Sequence, residues 1–119
     1  MNIIKPDLEL KQLSNYSGSQ RYHRLSPRFV VTDGIKYLMD NGYSWFVTDA
    51  LAVIAIHPRL RMQDFYVVEL KLTKSNKAEM IIDDGNNNVL YTQEYGYTDA
   101  KRDLKFYVRE NLVMLPTEY

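Results

Sequence analysis

YSWFVTDALAVIAIHPRLR, Tyr43 to Arg61, is the stretch on which the reading of the whole chain turns. It opens with three aromatics in four residues and stays almost wholly apolar to Ile56. It then switches to His57-Pro58-Arg59-Leu60-Arg61. The run is too long for a typical strand, so 43–56 is expected to be a helix. Val53, Ile54 and Ile56 are β-branched and keep a strand open for its second half. Phe46, Val47, Ala50, Leu51, Val53 and Ile54 cover most of the helix surface. A helix apolar nearly all round is expected to be buried nearly all round. Ser44, Thr48, Ala52 and Ala55 form one stripe of small residues, which allows another element close approach. Pro58 biases His57 away from helical backbone, and cations offset the negative end of a helix. His57 to Arg61 therefore reads first as a helix stop. The second reading is a basic tip, Arg59 and Arg61, that binds an anion or a partner.

Upstream, TDGIKYLMDNG reads as a second helix, with Thr32 or Asp33 as N-cap and Gly42 just past its end. Ile35, Leu38 and Met39 share one face. Pro6 and Asp7 suit the start of a short helix carrying Leu8 and Leu13. SNYSGS, 14–19, is a loop by composition. RYHRL alternates like a short strand, and Pro27 breaks it.

Downstream of residue 64 the period changes to two. DFYVVELKL (64–72), KAEMIID (77–83) and VLYTQEYGY (89–97) read as strands. TKSN and DDGNNN are the turns between them, giving an antiparallel meander. DLKFYVRENLVMLP reads as two strands about a turn at Arg109–Asn111, with a last helix as the alternative. The expected fold is α+β. Residues 1–119 form one domain, an antiparallel sheet of four to six strands with two main helices packed on one face.

The chain has 119 residues, 45% of them apolar, enough for one core. Its formal net charge is zero, which argues against a whole-domain attraction to duplex DNA. The halves differ: residues 1–63 carry 8 basic and 5 acidic side chains, and 64–119 carry 7 and 10. Arg21, Arg24 and Arg28 lie in a stretch, 16–31, without an acid. There is no cysteine, so disulfides, thiolate catalysis and zinc–thiolate sites are excluded. No signal-peptide core and no apolar run of about 18 residues occurs, and a cytoplasmic protein is expected.

Catalytic signals are thin. Asp49 is the one charge between Tyr43 and Ile56, a turn beyond Trp45. A buried carboxylate needs a donor, so it is expected to pair with Arg21, Arg24 or Arg28, and Trp45 and Asp49 are assigned structural roles. His23 and His57 are too few and too far apart for a histidine metal site. DDGNNN lacks the alternating ligands and downstream glutamate of a calcium loop. Phosphate-binding, dinucleotide and nucleophile-elbow motifs are absent. No catalytic residue, metal or cofactor is assigned. Among ten tyrosines, Tyr91, Tyr95 and Tyr97 alternate on one strand, and Tyr66 and Tyr107 extend the row. Such a row packs on a sheet, anchors a protein interface, or stacks bases, in that order of preference.

The order of these pieces resembles an uncharacterised family of small bacterial proteins, known mainly as a domain of unknown function. Thr32-Asp33-Gly34, the Trp45…Asp49 spacing, Tyr97-Thr98-Asp99 and Leu115-Pro116-Thr117-Glu118-Tyr119 carry the likeness, which covers 16–119. Where the family has a proline-containing segment after Thr-Asp, this chain has Ala100-Lys101-Arg102-Asp103. The resemblance implies one compact domain and a setting on phages, plasmids or other mobile elements; it carries no activity or cofactor. The expected function is a non-enzymatic binding or regulatory protein with a protein partner, acting as an accessory that modulates a host protein. Nucleic-acid binding through Arg21, Arg24, Arg28, Arg59 and Arg61 is the alternative. An enzyme with an unrecognised site around His23, Asp49 or His57 is the third. No membrane partner is expected, and exposed strand edges leave room for a homodimer.

Overall fold

The computed structural model describes residues 21–57, 60, 63–74 and 76–119. The expected helix near Pro6, the loop at 14–19, and Arg59 and Arg61 lie outside the described residues. The chain is α+β. Strand β1 (Tyr22–Arg24) and strand β2 (Val30–Thr32) lead into a short helix α1 (Asp33–Leu38) and a long helix α2 (Ser44–Ile56). Strands β3 (Phe65–Lys74), β4 (Lys77–Asp83), β5 (Val89–Tyr95), β6 (Leu104–Arg109) and β7 (Leu112–Met114) follow, and a 3₁₀ turn (Pro116–Glu118) closes the chain.

The strands form one seven-stranded sheet in the order β1-β2-β7-β6-β3-β4-β5. It is mixed, not purely antiparallel. β2 pairs parallel with β7, placing Val30 beside Leu112 and Val31 beside Val113. This corrects the expected sheet of four to six antiparallel strands. Short strands at RYHRL and in the last segment were expected and are present as β1 and β7; β2 is the unexpected one, its three residues too few alternations to register as a strand in a sequence. A parallel neighbour also needs a long crossover, and here everything between β2 and β7 supplies it.

The second correction concerns the helices. Thr32 caps α1 as expected, its Oγ1 accepting from the Ile35 N–H at 3.3 Å. α1 then ends after six residues. Met39–Tyr43 widens into a looser turn that feeds directly into α2, and Gly42 sits there at φ 104. A side chain resists that backbone region, so glycine serves at this bend. One main helix results, not two.

α2 covers one face of the sheet. Phe46, Val47, Ala50, Leu51 and Ile54 point inward. They meet Val68, Leu70, Met80, Ile82, Phe106 and Val108, all fully buried. Phe46 and Phe106 pack edge to face with ring centroids 5.2 Å apart. Each such side chain stabilises the fold by roughly 1.5–3 kcal/mol through burial. The helix is not buried all round, however: Thr48, Ala52 and Ile56 are exposed. His57 turns to extended backbone at ψ 118, as the following proline requires.

The opposite face carries an aromatic trio. Phe65, Tyr107 and Tyr119 hold ring centroids 5.2–5.6 Å apart, and the Arg109 guanidinium lies 6.0 Å from the Tyr119 ring. The C-terminal tyrosine is thus docked, on the outside of the sheet.

Candidate functional site

The tyrosine row lies along the seam between β5 and α2. Tyr95 donates its hydroxyl to Asp49 Oδ2 at 3.0 Å, and its ring packs edge to face on Trp45 at 5.2 Å. Trp45 and Asp49 are one helical turn apart, so one tyrosine reaches both. Tyr91 packs against the His57 ring at 5.7 Å and donates to Gln93 Oε1 at 3.0 Å. Burial pushes the Tyr95 hydroxyl well above its usual range, and the Asp49 charge adds to it. Asp49 was expected to find an arginine; its donor is a phenol instead, which serves because a half-buried carboxylate needs only a hydrogen-bond donor. Tyr97 corrects the row. It lies beyond β5, is 70% exposed, and donates to Asp99 at 2.9 Å. Tyr66 is buried elsewhere, donating to the Leu60 carbonyl, and Tyr107 is on the far face.

The arginines sit at the other end of the sheet. The segment joining β1 to β2 is tied by Leu25 N–H to Phe29 O at 3.0 Å and by Phe29 N–H to Ser26 Oγ at 3.1 Å. Arg24 Nη1 donates to the Ser26 and Pro27 carbonyls at 3.3 and 3.0 Å. Arg28 lies 4.9 Å from the Phe29 ring centroid. Its positive charge opposes the upward push of burial on the Tyr66 hydroxyl. The Arg21 N–H donates to Asp33 Oδ2 at 3.1 Å. Arg24 and Arg28 therefore gather around one loop and Arg21 lies at the opposite end of β1, all far along the sheet order from Tyr91 and Tyr95.

Between this loop and α2 runs an apolar groove of about 330 Å³, lined by Leu25, Ser26, Phe29, Thr48, Leu51, Ala52 and Ala55. Its helix wall is the stripe of small side chains. Asp49 and Trp45, on the opposite flank of α2, face β5. The groove thus has an apolar lining, and Arg24 and Arg28 belong to the loop that forms one of its walls.

A third cluster was missed by sequence reasoning. Glu118 accepts from the Thr32 hydroxyl at 2.6 Å, the Gly34 N–H at 3.1 Å and the Leu115 N–H at 2.9 Å. Beside it, His23 Nε2 lies 2.8 Å from Asp33 Oδ1. Both contacts fix strands to the start of α1. The signal that could have found Glu118 is the pattern Leu115-Pro116-Thr117-Glu118, a proline then an acid in the first turn of a helix. His23, Asp49 and His57 are held in separate contacts, with Asp33, Tyr95 and Tyr91 respectively. Among the described residues, no group of three or more His, Asp or Glu could hold a metal. No helix among them is long and apolar enough to cross a membrane.

Thr32-Asp33-Gly34 meeting Glu118, and Trp45…Asp49 meeting Tyr95, are long-range joints built from short motifs, which a sequence family can preserve. The chain belongs to the family of unknown function DUF6876. The match spans residues 7–119, so the DUF6876 chain is one domain in family terms across all the strands described. No curated protein and no solved structure matches it.

Proposed function

We propose that this DUF6876 protein is a small non-enzymatic binding or regulatory protein that acts through a protein–protein interface, with the groove between α2 and the Leu25–Phe29 loop as its contact surface. The observation that carries the reading is the groove itself: an apolar trough on the outer flank of the main helix, with arginines beside it. Exposed apolar troughs of this kind favour an amphipathic segment of another protein. Arg24 and Arg28 favour acids along that segment's edge. The setting we favour is the cytoplasm, with the protein an accessory of a mobile element that modulates a host protein.

The experiment is retention of lysate proteins on the tagged chain, with and without nuclease, compared with Ala52→Glu. Ala52 is exposed, so a glutamate there blocks the groove without entering the core. A discrete protein that survives nuclease and binds Ala52→Glu roughly 30-fold more weakly supports the reading, the size expected for loss of a central contact. Equal retention by the variant overturns the groove. Retention that disappears with nuclease moves the reading to nucleic acid, bound through Arg21 and its neighbours, with the steep salt dependence of phosphate contacts.

A further inference from the structure

β5 ends the sheet: β4 pairs with one side, and no described strand pairs with the other. An open edge presents unpaired N–H and C=O groups and is normally kept short, kinked or charged with lysine. The opposite edge, β1, has only three residues. In β5 the register shift lies at its start, where Ile82 faces Tyr91 and Asp83 faces Val89. Tyr91 to Tyr95 is then a regular run with neither lysine nor proline. Beyond that shift, Glu94 is the one charged residue of this run.

The run reads Tyr91-Thr92-Gln93-Glu94-Tyr95, and it is self-complementary when reversed. A two-fold axis at Gln93 sets Tyr91 opposite Tyr95 of a second copy, Thr92 opposite its Glu94, and Gln93 opposite its Gln93. Aromatic rings meet at both ends on the helix face, a favourable cross-strand pair. Glu94 never faces its own copy, so like charges stay apart. Val89, which opens the strand, is 60% exposed, and Tyr97, past the bend that ends it, is 70% exposed. Ile56 is 77% exposed on the flank of α2 that carries Asp49, above β5. Three of the exposed large apolar side chains thus rim one edge.

We propose that two copies of this chain associate through β5, antiparallel about Gln93, continuing the sheet from one copy into the next. This is independent of the groove, which lies on the other flank of α2.

The test uses purified chain, whose lack of cysteine makes an engineered thiol unambiguous. Directly opposed residues bring their Cβ atoms within about 4.5–5.5 Å, close enough for a disulfide after small adjustment. Gln93→Cys is expected to cross-link into a covalent dimer on mild oxidation, and Lys105→Cys, exposed on the central strand β6, is not. Sedimentation equilibrium should show a concentration-dependent dimer. Thr92→Glu, placing two acids opposite each other, weakens it about tenfold, and Thr92→Glu with Glu94→Lys restores it. Ala52→Glu leaves it unchanged. A chain that stays monomeric at every concentration, with Gln93→Cys cross-linking no faster than Lys105→Cys, overturns the proposal. So does a dimer indifferent to Thr92→Glu. Cross-linking of Gln93→Cys to another protein, the chain itself staying monomeric, gives the edge a foreign strand and also overturns it.

Discussion

Thr32 donates its hydroxyl to Glu118 across 86 residues of chain, at 2.6 Å. The same carboxylate takes the N–H of Gly34 and the N–H of Leu115. One side chain therefore ties the C-terminal turn to the start of α1, and the parallel β2–β7 pair lies alongside. Thr32 has a double role, since its oxygen also accepts from Ile35. Glu118→Ala should destabilise the fold by roughly 2–4 kcal/mol, because partly buried donors lose a charged acceptor. Glu118→Gln keeps one oxygen but turns an amide N–H₂ towards a backbone donor, and should cost about half as much. Urea denaturation of the three proteins checks the order.

Gly34 separates two opposed effects. Alanine in a helix is worth about 1 kcal/mol over glycine, so local propensity favours Gly34→Ala. A Cβ there would lie 2.6 Å from both Glu118 Oε1 and Leu115 Cδ1. The leucine methyl can swing aside, but Glu118 cannot without releasing its three donors. The expected net effect is a loss of about 1–3 kcal/mol. In the background of Glu118→Ala the same substitution should turn neutral or stabilising, a sign change that thermal melts of the double variant reveal.

Much of this architecture was legible in the residues, for stated reasons. α2 was readable because Ser44–Ile56 is longer than a strand, and its end because Pro58 dictates extended backbone at His57. Thr32 as N-cap and Gly42 past the helix were readable because each residue type answers a local backbone demand. The meander was readable from its turns, Asp84 and its neighbours accepting from the following N–H groups as turn residues do. What escaped was non-local. β2 is too short to show a period, and its parallel pairing with β7 joins residues about 80 apart in sequence. Tyr97 follows the alternation of Tyr91 and Tyr95, yet the strand stops at Tyr95, so its parity carries no facing. Asp49 and Tyr95 are 46 residues apart, and nothing local told a phenol from a guanidinium as the donor. Glu118 and its partners Thr32 and Gly34 are more than 80 residues apart, and nothing local named them to each other.

The Trp45–Tyr95–Asp49 joint holds α2 against the edge of the sheet. Asp49→Asn keeps an oxygen for the Tyr95 hydroxyl and should shift stability by less than about 0.5 kcal/mol, whereas Asp49→Ala should cost about 1 kcal/mol. The ring contact is a separate term. A double-mutant cycle of Trp45→Leu and Tyr95→Leu should give a coupling of about 0.5–1.5 kcal/mol, the range for edge-to-face aromatic pairs. Denaturation of the four proteins of the cycle measures it.

Alkaline pH should act through the same tyrosine. Burial, then the Asp49 charge and its hydrogen bond, raise the Tyr95 hydroxyl above its usual range in the folded chain. Tyr66 is raised too, mainly by burial. An unfolded tyrosine ionises near pH 10. Below that pH both states hold the proton, and these groups add no pH dependence. Above it the unfolded chain releases protons that the native chain retains, so stability falls as pH rises. Wild type should therefore lose thermal stability progressively from about pH 10 upward, before tyrosinate absorbance appears for the native Tyr95. Tyr95→Phe should start lower at pH 8, by about 1 kcal/mol for the lost partner of Asp49, and then decline less steeply. The two stability curves should converge as the pH climbs, with the residual slope of the variant assigned to Tyr66 and to Tyr97, which the Asp99 hydrogen bond and charge also raise. Parallel curves would place the alkaline sensitivity outside the α2–β5 seam.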